Sequence, residues 1–152
     1  MASRHQDWFN QGQRDVELAR WCVEGGHYEW ACFVAQQAAE KVIKAVFQKL
    51  GGVAWGHSVT ELLKALPDSR AIQAELLNAA RELDRHYIAA RYPNSHPSGA
   101  PFEHYMQGEA VRAVSNAESI IAFCEGVLAE PPGDDPTRPG GDEGAAGTAP
   151  GD

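Results

Sequence analysis

At 152 residues and 43% hydrophobic content, the chain has room for one domain with a modest core, and nothing in it marks a second. A formal charge of −8 excludes a general nucleic-acid-binding surface, which needs a surplus of Lys and Arg, and leaves room only for a local basic site. No apolar run approaches the roughly 20 residues of a membrane span, and Arg4, His5, Gln6 and Asp7 precede any apolar cluster, unlike a signal peptide; the expectation is a soluble, cytoplasmic protein with no membrane partner.

The first helix is expected to start at a capping box, Ser3-Arg-His-Gln6, and to carry Trp8, Gly12, Val16, Ala19 and Val23 inward until Gly25-Gly26 stops it. Gln13, Arg14, Glu17 and Arg20 form its solvated side, which places it at the surface of a bundle. The second helix, Tyr28 to Leu50, is the most helix-prone segment. Ala31, Val34, Ala35, Ala38, Ala39, Val42, Ala45 and Val46 fill an arc of about 140° at 100° per residue. Small alanines dominate that arc and let neighbouring helices approach closely. The other side interleaves Trp30, Phe33 and Phe47 with Gln36, Gln37, Glu40 and Lys44, which predicts contact with a further helix or a second subunit. Aromatics at helical spacing are read as packing before base stacking.

After Gly51-Gly52 a second capping box, Ser58-Val-Thr-Glu61, starts a short helix with Leu62, Leu63 and Leu66, closed by Pro67. Asp68 or Ser69 is expected to cap a long helix with Ile72, Leu76, Ala79, Leu83 and Tyr87 on its inner stripe. Pro93 disfavours helical geometry at Tyr92, so this helix should stop near Ala90 or Arg91. The loop from Tyr92 to about Gln107 is long for a bundle connection, and Pro93, Pro97 and Pro101 stiffen it. From Gly108 or Glu109 a last helix carries Val111, Val114, Ala117, Ile121, Cys124 and Leu128. Residues 131–152 hold no large hydrophobe, with five acidic residues against Arg138, and are expected to be a disordered tail. The fold class is therefore all-α: an antiparallel four-to-five-helix bundle over residues 1–130, with a long functional loop before the last helix.

Chemistry concentrates in that loop. Arg91, always charged and able to grip a phosphate bidentately, lies five positions before His96, which exchanges protons near neutrality. An Arg at a helix C-terminus is also favoured by the helix dipole alone. His57, just before the short helix, is read chiefly as a hydrogen-bonding residue of its turn. Cys22, Cys32 and Cys124 are widely spaced within apolar patterns and read as buried thiols; no CxxC is present. His86, His96 and His104 bracket the loop without a carboxylate or cysteine at ligand spacing, so no metal is expected. Phosphate-binding glycine loops, HExxH, GxSxG and EF-hand patterns are all missing from the sequence, and no cofactor is expected.

Three segments in register resemble the HEPN domain family (higher eukaryotes and prokaryotes nucleotide-binding): Tyr28 to Ala45, Gly56-His-Ser, and Tyr87-Ile-Ala-Ala-Arg-Tyr-Pro-Asn94. The resemblance spans roughly residues 5–130. It implies an antiparallel helical bundle, a homodimer that brings the polar loops towards a two-fold axis, and a nucleotide- or phosphate-binding site at Arg91, Asn94, His96, Tyr87 and His57. Many members are metal-independent ribonucleases using Arg-x4–6-His, which Arg91 and His96 match; there the arginines bind the scissile phosphate and the histidine assists the 2′-hydroxyl. Others work with a small nucleotidyltransferase encoded beside them in toxin–antitoxin pairs. Here Tyr92 and Pro93 stand where nucleases place a small polar residue first, and Ser98 replaces the tyrosine that the partner transferase modifies. The Arg-Tyr-Pro-Asn form resembles the nucleotide-binding, transferase-associated branch more than the nuclease branch. The expected function is thus a nucleotide-binding partner of such a transferase, with a ribonuclease or a non-catalytic helical adaptor as alternatives.

Overall fold

The computed structural model describes residues 3–67 and 72–131. Among them the chain forms α1 (His5–Glu24), α2 (Tyr28–Lys49), α3 (Val59–Lys64), α4 (Ala74–Asp84), α5 (His86–Ala89), a 3-10 turn (Pro93–Ser95), α6 (Pro101–His104) and α7 (Gln107–Leu128), with no strand. The all-α bundle is as expected. Both the capping site at Asp68 or Ser69 and the tail from residue 132 lie outside the described residues. Among those residues no helix is long and apolar enough to cross a membrane.

Helix α2 is the axis of the bundle, packed by α1, α7, α3, α4, α5 and α6. The alanine arc does what its size allows. A Cβ on Gly12 of α1 would lie 2.5 Å from Val42 Cγ1 and 3.1 Å from the Ala38 carbonyl oxygen, so α1 sits close against the backbone of α2 only because that position has no side chain. Phe9 is the buried aromatic of α1 and Trp8 only partly covered, one position away from the expected stripe. Arg4, not Ser3, takes the cap position of α1 and makes no side-chain cap hydrogen bond; Ser3 Oγ accepts from the His5 N–H at 3.3 Å, and its hydroxyl donates to the Gln48 carbonyl at 3.2 Å, tying the start of α1 to the end of α2. Lys41 pairs with the nearly buried Asp15 across the same interface. Lys49 donates to the carbonyls of Leu128 and Glu130, placing a cation at the C-terminal end of α7.

Helix α2 is also packed by the chain's own α3, α4 and α5. On its mixed side Phe47, Gln36 and Glu40 are buried and Phe33 is half-buried, while Trp30 is exposed. Ser58 caps α3 as expected, accepting from the Glu61 N–H at 3.2 Å. Asp84, the last residue of α4, adds three bonds at the same helix start. It accepts from Val59 N–H at 2.7 Å, Thr60 N–H at 3.0 Å and the Ser58 hydroxyl at 3.0 Å. A carboxylate facing unpaired N–H groups at a helix N-terminus is doubly favourable, by hydrogen bonding and by the dipole.

The fourth helix is not continuous to Ala90. It begins at Ala74 behind extended Gln73, breaks at Arg85, whose N–H bonds the Glu82 carbonyl at 3.3 Å, and resumes as the single turn α5. Ile72 precedes the helix but still packs on the core. In α7 the buried stripe is Ala110, Ala113, Val114, Ala117, Ile120, Ile121, Cys124 and Val127; Val111, expected inside, is exposed. Cys32 and Cys124 are buried free thiols and Cys22 is half-buried. Burial pushes the Cys32 thiol up to about 12, with Glu109 adding to the effect.

Candidate functional site

The loop that ends α5 is built from turns rather than left irregular. Pro93 holds Tyr92 extended, at φ −125° and ψ 132°, and starts the 3-10 turn. Gly99 takes φ +78°, and the Ala100 N–H then donates to Glu103 Oε2 at 2.7 Å ahead of Pro101, the first residue of α6. A side chain at Gly99 would be strained by that φ and would press on the Glu103 carboxylate at 2.8 Å.

Arg91 follows directly on the end of α5. Its Nε and one terminal nitrogen donate to the Tyr87 carbonyl at 2.9 and 2.6 Å, closing back on the turn it terminates. The guanidinium carbon lies 4.3 Å from the ring centre of Phe33, 4.8 Å from Tyr87 and 5.1 Å from Tyr92. Three aromatic faces therefore hold one half-buried cation, a favourable but incomplete compensation for lost water. No carboxylate pairs with Arg91 among the described residues, and its other terminal nitrogen makes no hydrogen bond there.

His96 belongs to a second cluster. Its Nε2 lies 2.7 Å from the Ala89 carbonyl, which can only accept, so Nε2 carries the hydrogen. Its ring stacks on His104 at 4.4 Å with 2° between planes, and His104 Nε2 donates to the Ser98 carbonyl at 2.5 Å. The Tyr105 ring is T-shaped to that of His96, with 6.4 Å between centres, and its hydroxyl lies 3.0 Å from His86 Nδ1. Burial lowers the His86 pKa against the opposing pull of Glu109 and Glu82, and burial raises that of Tyr105. Both are therefore neutral, and one hydrogen is shared between the phenol oxygen and Nδ1. A groove of about 210 Å³ opens beside this pair, lined by Glu82, Arg85, Ala89, Glu109 and Arg112.

His57 joins the Arg91 cluster. Its Nδ1 lies 2.6 Å from Glu40 Oε1, its ring stacks on Tyr87 at 4.9 Å with 17° between planes, and its carbonyl accepts from Gln36 Nε2 at 2.7 Å. The expected hydrogen-bonding role is present, and so is contact with the residue that anchors Arg91.

The structure thus brings Tyr87, Arg91 and His57 together, sets His96 against the Ala89 carbonyl, and leaves Asn94 exposed on the 3-10 turn. No hydrogen bond joins Arg91 to His96 among the described residues. The three histidines noted in sequence do gather, but around Tyr105, and no group of three metal-binding side chains forms among the described residues. Glu40, Tyr105 and His104 were not read as site residues. The available signal for Glu40 was its place one turn after Gln36 on a helix side that also carries Phe33, where a solvated carboxylate has no reason to sit among aromatics.

Residues 5–127 match the family model described as HEPN domain. The chain belongs to the HEPN domain family. Among solved structures, TT1696 from Thermus thermophilus is 42% identical with a TM-score of 0.82, over 84% of this chain and 100% of that one. An HEPN domain protein from Thermotoga maritima is 43% identical with a TM-score of 0.66, over 80% and 97%. ST0689, described as an archaeal HEPN homologue, is 38% identical with a TM-score of 0.70, over 82% and 98%. A more distant relative, named "Putative toxin MJ1304" from Methanocaldococcus jannaschii, is 24% identical over 132 residues, covering 81% of this chain and 87% of that protein. The HEPN match covers every element that builds the Arg91 and His96 clusters.

Proposed function

We propose that this HEPN domain binds a nucleotide or nucleotide-derived phosphate at Arg91, with Tyr87, Asn94, His96 and His57 around it. One observation carries the reading: Arg91 is a half-buried guanidinium with three aromatic faces, no carboxylate partner and one terminal nitrogen still to be satisfied among the described residues. A phosphate oxygen completes that set, and an aromatic surround suits the rest of a nucleotide. The Arg-Tyr-Pro-Asn form extends the reading to a homodimeric, cytoplasmic module that works with a separately encoded small nucleotidyltransferase in a toxin–antitoxin-like pair. The name of the Methanocaldococcus relative supports that context. Exposed Trp30, Ile88, Tyr92, Phe102 and Met106, on or beside the elements that carry the loop, offer apolar surface for the second copy in place of the Phe33 and Phe47 side.

Metal-independent RNA cleavage by Arg91 and His96 is the second reading, favoured by their spacing and by the bare Nδ1 that the His96 hydrogen bond leaves. Against it stand the absence of any hydrogen bond between the two side chains and the closure of the Arg91 fork on Tyr87. Calorimetric titration with nucleoside phosphates, paired with an assay on labelled RNA, separates the readings. Binding without cleavage, weakened about 10- to 100-fold in Arg91→Ala, is the expected result. Metal-free cleavage abolished in both Arg91→Ala and His96→Ala establishes the ribonuclease instead. Neither binding nor cleavage in the wild type leaves the helical adaptor. Light scattering tests the homodimer, and co-purification with the neighbouring gene's product tests the transferase.

A further inference from the structure

Three polar side chains on one face of α2 serve a single loop histidine. Gln36 holds the carbonyl of His57, Gln37 donates to the Gln36 side-chain oxygen at 2.8 Å, and Glu40 accepts from His57 Nδ1 at 2.6 Å. The Glu40 side chain is 6% exposed, whereas that of His57 is 55% exposed. Burying a carboxylate is costly, and a glutamine would latch the turn as well. A glutamine amide can present either its oxygen or its nitrogen, whereas an ionised carboxylate can only accept and so fixes which nitrogen of a neutral imidazole carries the hydrogen. Here Nδ1–H points inward at Glu40, and Nε2 has no partner among the described residues.

The His57 ring is also close to the Arg91 site. The His57 ring and the Arg91 guanidinium stand 4.9 and 4.8 Å from the same Tyr87 ring centre, so their separation cannot exceed those two distances laid end to end, the span of one nucleotide. Resting on the nucleotide reading of the Arg91 site, we propose that His57 Nε2 is the hydrogen-bond acceptor for a sugar hydroxyl of the nucleotide whose phosphate Arg91 holds, and that Glu40 is the positioning residue that fixes this tautomer. A bare imidazole nitrogen takes a hydroxyl and not a deprotonated phosphate oxygen, which divides the ligand between the two groups. The site then discriminates ribonucleotides from their deoxy forms.

The test uses the full chain with AMP, GMP, CMP and UMP and their 2′,3′-dideoxy counterparts. The wild type should bind the ribonucleotide about tenfold more tightly than its dideoxy form. His57→Phe, which keeps a flat ring against Tyr87, should bind both forms equally, at the wild type's dideoxy affinity. Independently of any ligand, long-range proton–nitrogen NMR should show His57 with Nδ1–H and bare Nε2, and Glu40→Leu should convert it to a tautomer mixture while the fold signals persist. Equal affinity for ribo and dideoxy forms in the wild type, or unchanged discrimination in His57→Phe, overturns the proposal. Failure of all four ribonucleotides to bind overturns the nucleotide reading on which it rests, an Nε2–H imidazole in the wild type leaves no acceptor and overturns the proposal itself, and an unchanged tautomer in Glu40→Leu overturns the role of Glu40 alone.

Discussion

Towards α1, helix α2 presents Ala38 and Val42 against Gly12, and contact is so close that no further atom fits. Towards the loop before α3 and α5 it presents Gln36, Glu40 and Phe33, which reach outward to a histidine, an arginine and a tyrosine. The first interface is specified by size and tolerates no growth. The second is specified by hydrogen-bond direction, so it can hold side chains in place while leaving polar atoms for a ligand. One helix thus anchors the fold on one side and positions chemistry on the other.

The sharpest way to break the first interface is Gly12→Val. Its Cβ alone meets Val42 Cγ1 at 2.5 Å, and overpacking of this kind should cost about 3 kcal/mol in urea-unfolding stability, more than any gain in helix propensity over glycine returns. Asp84→Ala comes next. It strips three hydrogen bonds from the start of α3 at the edge of the second interface, and about 2 kcal/mol should be lost in the same measurement.

Acid titration sharpens the comparison further, because the polar side contains His86, a histidine kept neutral by burial. The folded-state pKa of His86 lies below its ordinary 6.5, so the neutral form is favoured in the fold and the unfolded chain takes up the proton first. Its stability contribution should be full above pH 6.5 and decline as pH falls from there through the lower folded value; His86→Gln should flatten that part of the stability–pH curve. The smallest effect is expected on the solvent side of α1, where Arg20 donates to Glu118 at 2.8 Å with both side chains nearly half exposed. Arg20→Ala should shift stability by about 0.5 kcal/mol or less, and that shift should vanish in high salt.

Much of this was legible along the chain. The alanine arc of α2, the Ser58 cap, the stop that Pro93 imposes on α5 and the all-helical class follow from local rules, since 3.6-residue periodicity, capping chemistry and proline sterics act within a few residues. Arg91 and His96 could be singled out for the same reason: residue type and loop context are local. The sequence by itself could not decide that the Ser3 hydroxyl reaches Gln48, that the fourth helix breaks at Arg85, or that Val111 faces outward. Those outcomes depend on which distant group lies opposite.

The same holds for the site. The resemblance named His57 as a site residue, but Glu40 acquired its meaning only when the turn before α3 brought that histidine onto α2, 17 positions away, and Tyr105 only when the loop folded back to His86, 19 positions away. Local sequence therefore determined the all-helical class, the Ser58 cap and the candidates Arg91 and His96. Tertiary structure alone decided their partners, because a buried polar group takes its role from the one atom placed to satisfy it.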